Sequence, residues 1–202
     1  MQDVEIFVPF RFPSGRAPMV TAIRSTLIVS AIQALRARGL YDSYVEQLAS
    51  ERRDEIASLI AGAWIPVQLG LDHYAAADRL GLDRATIESI GGDVGERVNK
   101  SMLSILVKLS KEVGVTPWSA LAYAHRMRDL MWRGSDVAVL KLGPKDARFD
   151  WAGQPLSDIP YFAVSFGGFL GALAGLFCTK IYTRRVLEHC SPTSISYRLS
   201  WV

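Results

Sequence analysis

The sequence predicts an α+β fold: an N-terminal helical bundle packed on a small antiparallel sheet closed by a C-terminal hairpin, in a single domain over residues 1–202. Three observations predict it. Apolar residues recur at helical spacing through the first two thirds of the chain, as in Leu27, Ile28, Ala31, Ile32 and Leu35. Ile181–Leu187 and Ser194–Val202 instead alternate or bunch apolar residues as strands do, on either side of the turn-forming Ser191, Pro192 and Thr193. Between bundle and hairpin, from Asp158 to Lys180, run 21 consecutive uncharged residues. This stretch barely reaches the roughly 20 apolar residues that a membrane span needs. A span would also part the hairpin from every other strand candidate, and two strands alone are marginal in water. The stretch is therefore read as a buried core helix, and membrane association is not expected.

The elements follow in order. Val4 to Val8 reads as a short strand, and Pro9 through Pro18 as a turn-rich segment. Ser25 can cap the first helix, which carries Arg36 and Arg38 in its last turn and Gly39 just past its end. A helical pair covers roughly 42–62, with Ile56, Leu59 and Ile60 as the stripe of its second member. Pro66 suits the first turn of a helix running to Leu80 and ended by Gly81. Asp83 can cap a short helix that stops at Gly91-Gly92. Asp93 then opens a longer helix with the stripe Val94, Val98, Met102, Ile105 or Leu106, Leu109 and Val113 before Gly114. Thr116 caps a helix with Pro117 at its first position, running to about Trp132. Asp136–Leu142 and Ala147–Trp151 read as strands joined by the Gly143-Pro144 turn. Within the core helix, Gly167, Gly171 and Gly175 repeat at four-residue spacing. A glycine inside a helix costs about 1 kcal/mol relative to alanine, so this stripe is expected to serve close packing against another backbone. A leucine at position 171 is expected to disrupt it.

Composition narrows the function classes. Half of the residues are apolar and 21% charged, as in an ordinary globular protein, and a net charge of +3 with basic and acidic residues intermixed argues against nucleic-acid binding. Asp3 and Glu5 stand where a secretory leader would carry positive charge, so a cytoplasmic location with Cys178 and Cys190 reduced is expected. No constellation of side chains points to catalysis or metal binding. His73 falls on the stripe of Leu69, Ala76 and Leu80 and reads as a hydrogen-bonded histidine at a core edge. His125 stands one turn from Asp129, but Arg126 and Arg128 beside it suggest a solvated flank. His189 and Cys190 are adjacent on a strand end and so point to opposite faces, which precludes a Cys–His pair. Asp72 and Asp78 share no helix face, and Glu51, Asp54 and Glu55 alternate with arginines on a solvated one. Gly91, Gly92 and Gly95 precede a helix as in phosphate sites, but with neither a preceding strand nor a lysine at the required spacing they read as a helix–helix turn. The tryptophans at 64, 118, 132, 151 and 201 read as core and junction anchors, some able to line a ligand cavity.

The segments WIPVQLGLDHYAAADRLGL, VGVTPW, GPKDARFDWAGQPL and YRLSW resemble a family of myxobacterial paralogous proteins of unknown function. The resemblance covers most of the chain and implies a bacterial cytosolic protein. More distantly, the last 45 residues, a glycine-rich helix followed by a strand, a polar turn with cysteine and a final strand, resemble the ending of the 4-vinyl-reductase-like small-molecule-binding domains, the trafficking-complex subunits and the haem nitric-oxide sensors. That superfamily implies helices on an antiparallel sheet, dimers, and a hydrophobic ligand or haem between the layers. The sensors' tyrosine-serine-arginine signature is not reproduced, since Tyr197, Arg198 and Ser200 are out of order, and the ligand-binding relatives' cysteine pattern is incomplete.

Together these point to a non-enzymatic sensory or regulatory module, dimeric and without a cofactor, that binds an apolar small molecule or a protein partner. The cavity residues proposed are Trp118, Tyr123, Phe166 and Phe169. The alternative is an adaptor with a solid core and no ligand, with an enzyme or a haem sensor less favoured.

Overall fold

The computed structural model describes residues 5–13, 15–110 and 116–202, with side chains described throughout except at 101–110. The expected stop at Gly114 and the side chains of Met102, Ile105, Leu109 and Val113 lie outside the described residues.

Strand β1 (Glu5–Val8) leads into an extended strap held down by the buried carboxylate of Asp136, which accepts from the backbone N–H of Arg11 (2.6 Å) and of Phe12 (2.9 Å). A short strand, β2 (Ala22–Arg24), passes directly into α1 (Ser25–Ala37). Ser25 is the first helical residue and does not cap. Its buried hydroxyl donates to the Ile60 carbonyl (2.6 Å) and accepts from Ala63 N–H (3.0 Å), tying the helix start to a distant loop. Gly39 closes α1 at φ +67°, a left-handed conformation that glycine adopts without strain. The expected helical pair is present as α2 (Tyr41–Gln47) and α3 (Ser50–Ala57), but α3 ends before Leu59 and Ile60, so Ile56 alone of the expected stripe is helical and buried, and Ile60 is exposed. Strand β3 (Trp64–Pro66) contains Pro66 and precedes α4 (Val67–Asp78).

The largest departure from the sequence reading is α5 (Arg84–Ser110). Asp83 does cap it, accepting from Thr86 N–H at 3.0 Å. Gly91-Gly92 does not end it, however, and the GGDVG segment is interior to one continuous helix rather than a turn. Conversely, the helix expected from Pro117 to about Trp132 is two: α6 (Pro117–Leu121) and α7 (Ala124–Met131). Strands β4 (Trp132–Arg133), β5 (Asp136–Gly143) and β6 (Asp146–Ala152) follow. Then come the apolar helix α8 (Pro160–Ala174), β7 (Ile181–Arg185) and β8 (Ser194–Trp201).

The principal sheet is antiparallel throughout, in the order β1-β5-β6-β8-β7, and a second sheet pairs β3-β2-β4. The second sheet was not expected, because strands of two or three residues are too short to show a period of two. Register aligns Val137 with Trp151 and Ile195, and Val139 with Phe149 and Tyr197, so one face is continuously apolar. The opposite face carries Arg148, Arg198 and Arg184 side by side across three strands. Like charges in direct register repel. Asp146 and Asp150 offset this by pairing with Arg198 and Arg148 respectively.

Helix α8 is the core helix. It lies between α5 and the apolar sheet face, and ten of its fifteen residues are buried. Asp78 at the end of α4 caps it from a distance, its Oδ1 accepting from Tyr161 N–H at 2.8 Å. The close backbone approach in this helix is made on its α5 side. A Cβ at Gly168 would sit 2.0 Å from the Glu88 carbonyl oxygen, and one at Gly91 would sit 1.8 Å from that of Ser165. At Gly95 the nearest atoms would be Ala172 Cβ and the Phe169 oxygen, at 2.8 and 2.9 Å. The two helices therefore cross backbone to backbone, which is why α5 tolerates glycines that ordinarily end a helix. Gly167, Gly171 and Gly175 face the sheet instead, where a Cβ would meet the side chains of Tyr197, Thr183 and Ile181 at 3.4 to 3.7 Å.

Candidate functional site

Where α8 meets the sheet, the inward aromatic residues do not quite fill the space. Phe149 and Trp151 on β6 rise from the sheet, Phe166 and Phe169 descend from α8, and Trp132 enters from the end of α7. Each is buried for a direct reason: alternate β6 residues point to the same face, and 166 and 169 lie one turn apart on α8. Trp132 packs edge-on against Trp151, with ring centroids 4.6 Å apart, and Phe166 packs on Trp151 at 4.7 Å. Beside them remains a cavity of about 50 Å³, closed on the far side by Leu121, Met127 and Met131 of the short helices and by Leu170 and Leu173. Across the rings of Trp132, Phe166 and Phe169 lies a second void of about 20 Å³, which Tyr161 and Ser165 also line. That is room for one water, and the buried Tyr161 hydroxyl there has no partner.

No side-chain oxygen lines the larger cavity among the described residues. Its surface is almost wholly apolar, and the polar side-chain atoms of its lining residues are buried nitrogens. Arg128, on α7, is buried, donates through Nη1 to the Gly134 carbonyl (2.9 Å) and pairs through Nη2 with Asp129 (3.0 Å). Burial pulls its guanidinium below the usual arginine value, with Asp129 opposing. It remains charged at neutral pH. Its Nε, and the indole Nε1 atoms of Trp132 and Trp151, are buried and without a hydrogen-bond partner.

Of the cavity residues proposed from sequence, Phe166 and Phe169 line this space. Trp118 lies at the sheet end, in edge contact with Phe7 (5.0 Å) and Trp201 (5.1 Å), with its indole N–H donating to the Pro144 carbonyl (2.8 Å). Tyr123 sits in the break between α6 and α7 and is 37% exposed. The solvated flank expected around His125 is in part buried: His125 Nε2 lies 2.8 Å from the Pro9 carbonyl, its Nδ1 is 3.5 Å from Asp136, and Arg128 points inward. The buried arginine carries no signal in sequence, because its neighbours Arg126 and Asp129 look like an exposed helix surface.

His73 is fully buried rather than at a core edge. Its Nδ1 is 2.7 Å from the Tyr44 hydroxyl, and the ring packs against Tyr44 and Tyr74. Burial drives its pKa down to about 3, so it is neutral at physiological pH. The same burial raises the phenols of Tyr44, Tyr74 and Tyr161, and these hydroxyls stay protonated. His189 is on the outer surface, its Nε2 accepting from Arg148 Nη1 at 2.7 Å, and Cys190 donates to the Val186 carbonyl. Among the described residues no group of three metal-ligating side chains converges.

No family model matches this chain and no curated protein matches it, so the resemblance to a myxobacterial family gains no support. Solved structures do match. An Fe(II) unliganded H-NOX protein from K. algicida superposes with a TM-score of 0.64 at 9% identity, covering 89% of this chain and 97% of that one. An oxygen-binding H-NOX domain related to soluble guanylate cyclases gives 0.60 at 11%, covering 89% and 95%. A third structure, described in terms of protein-induced porphyrin distortion, gives 0.59 at 12%, covering 89% and 100%. The fold is H-NOX-like. The likeness extends well beyond the last 45 residues.

An H-NOX-like fold raises the question of haem, and the residues present do not fit one. A cofactor-sized ligand needs a pocket of roughly 300 to 1,000 Å³, and the aromatic chamber is about 50 Å³. The chain has three histidines, and none lines it. His73 is engaged with Tyr44 in the helical bundle, His125 faces the strap and His189 faces out.

Proposed function

We propose that this chain is a non-enzymatic sensory module that takes a compact apolar molecule, without haem, into the chamber between α8 and the sheet. The observation that carries the reading is the chamber itself: an aromatic-lined space at the junction of the two layers, inside an H-NOX-like fold. The solved neighbours are described as binding oxygen or holding Fe(II). Here the space admits the small molecule alone. Occupancy would be felt on α8, because Phe166, Phe169, Leu170 and Leu173 line the chamber while the opposite side of the helix is locked to α5 through Gly168. The dimer suggested by the distant resemblance would be the natural receiver of that signal.

Native mass spectrometry of protein purified from its source tests this directly. A species carrying a small additional mass supports the reading, and the subunit number is reported in the same spectrum. Titration with haemin separates the haem alternative. A sharp, saturable Soret band lost on substituting a single histidine would overturn the haem-free assignment. The second reading, an adaptor without ligand, is favoured by the modest size of the chamber. It predicts an empty species and no saturable binding of apolar probes.

A further inference from the structure

The principal sheet ends on a strand with one free side. β7 is last in the strand order and pairs only with β8. Val186 N–H donates to the Ser196 carbonyl (2.9 Å) and Val202 N–H to the Lys180 carbonyl (3.1 Å), so the even-numbered residues carry the bonds between these two strands. Facing residues of an antiparallel pair alternate between bonded and unbonded. The backbone N–H and C=O groups of Ile181, Thr183 and Arg185 therefore point away from β8, and among the described residues no hydrogen bond reaches them from outside the sheet. Such an edge is a template for another strand, and its charge selects which one. No acidic residue lies between Asp158 and Glu188, whereas Lys180, Arg184 and Arg185 crowd the strand. Arg184 is exposed, and Asp146, whose carboxylate feels its charge, is already paired with Arg198. Arg185 donates through Nη2 to the Ser157 carbonyl (3.3 Å), while its Nε has no partner. Beside the strand runs a cleft of about 220 Å³, bounded by Ala163, Val164 and Gly167 of α8, by Tyr197 of β8 and by Arg84 at the start of α5. Arg84 is held by Glu88 at 2.8 Å. Arg84 and Arg185 both lie close enough to Tyr197 to oppose the rise that burial imposes on its phenol, so both charges reach this cleft.

We propose that β7 is a docking edge for an extended acidic segment of a partner protein, which adds to the sheet as a further strand. Main-chain hydrogen bonds to Ile181, Thr183 and Arg185 supply affinity, and alternate side chains of the incoming strand supply specificity. Successive residues of that strand point to opposite faces of the sheet. Thr183 faces α8, so Arg185 shares that face and Arg184 lies on the other. Two consecutive carboxylates on the partner therefore meet Arg184 and Arg185 from the two faces. The partner residue opposite Thr183 turns toward the cleft, where the small and apolar residues of α8 accept an apolar side chain. At about 220 Å³ the cleft exceeds the roughly 150 Å³ of an engineered cavity that takes benzene. The sequence this edge selects is apolar–acid–acid. A second copy of this chain is a poor occupant: pairing β7 with itself would gather Lys180, Arg184 and Arg185 of both copies into one ribbon, and like charges on facing strands repel. The inference rests on sheet topology and charge and is independent of whether the aromatic chamber takes a ligand.

The probe is a fluorescein-labelled, C-amidated peptide, TVTVEEVTVT, whose flanking valines satisfy the pattern in either strand direction, titrated into the full chain by fluorescence anisotropy. TVTVQQVTVT, TVTVKKVTVT and a fully N-methylated glutamate peptide are the comparisons. The expected result is saturable binding of the glutamate peptide about tenfold tighter than that of the glutamine peptide, since each exposed ion pair is worth up to a few-fold. Arg184→Glu, at an exposed position, should remove that difference. Residue-resolved hydrogen exchange on the unaltered chain reads the geometry without any substitution. The amides of Ile181, Thr183 and Arg185 should slow when the peptide is added, whereas those of Tyr182 and Arg184, already bonded to β8, should be slow beforehand. Equal binding of the N-methylated peptide would show that charge alone attracts the acid and would overturn strand addition. Equal or tighter binding of the lysine peptide, or no saturable binding of the glutamate peptide, overturns the proposal outright. Slow exchange at Thr183 before any peptide is present would mean that a second copy already covers the edge, and this too overturns it.

Discussion

Replacing Gly168 with alanine tests the crossing on which the chamber's geometry rests. The added methyl would lie 2.0 Å from the Glu88 carbonyl oxygen and 2.9 Å from its carbon. A normal contact is about 3.4 Å, so α5 and α8 must part by more than 1 Å at that point, and a helix backbone cannot yield as the end of a flexible side chain can. Overpacking of this kind costs about 1–3 kcal/mol, and the backbone partner places it at the upper end. Better helix propensity returns up to about 1 kcal/mol. The net expectation is a destabilisation of about 2 kcal/mol, or roughly 4–8 °C in Tm for a domain of this size. Gly171→Ala is the internal control. Its methyl would meet Thr183 Cγ2 at 3.7 Å, an ordinary contact, so propensity alone should leave it unchanged or more stable by up to about 1 kcal/mol. Urea unfolding followed by far-UV circular dichroism reads both variants. If Gly168→Ala proves as stable as Gly171→Ala, the backbone crossing is not where the structure puts it, and the account of α5 fails with it.

Further expectations follow from buried polar groups. His73 is neutral in the fold down to about pH 3, whereas an unfolded chain protonates it near 6.5. Between those values the unfolded state binds the extra proton, so stability is intact above pH 6.5 and falls by about 1.4 kcal/mol per pH unit below it, or about 2 kcal/mol by pH 5. A His73→Leu/Tyr44→Phe double variant, which removes both hydrogen-bonding partners, should flatten that slope in denaturant titrations, and an unchanged slope would assign the acid sensitivity elsewhere. Asp136→Ala strands the Arg11 and Phe12 amides, so hydrogen exchange at both should accelerate while the α8 amides stay protected. Uniform acceleration would mean that the strap and core are one cooperative unit. Ser157→Ala removes a buried hydroxyl that donates to the Gln154 (2.7 Å) and Pro192 (2.9 Å) carbonyls, and should cost about 1–2 kcal/mol in the same urea assay. A loss under 0.5 kcal/mol would show that this link between the β6–α8 turn and the hairpin is dispensable.

What the sequence determined by itself was the layer architecture and most elements, because periodicity is a local property: the period of two in Phe149 and Trp151 and in Ile195, Tyr197 and Leu199, and the caps at Asp83 and Gly39, need no knowledge of the rest of the chain. Reading the uncharged stretch as a core helix rested on the hairpin after it, and that hairpin pairs into the five-stranded sheet. Only tertiary structure decided which glycines matter. Gly91 and Gly92 look like a stop, and Gly167, Gly171 and Gly175 like the contact stripe, until α5 and α8 are placed against each other and Gly168 is seen to face a carbonyl. The same holds for Arg128, whose neighbours in sequence are charged but whose neighbours in space are Trp132 and the chamber. Propensity and spacing describe a helix in water. The crossing of two helices, and the space left between a helix and a sheet, are set by contacts between residues tens of positions apart, which no local pattern encodes.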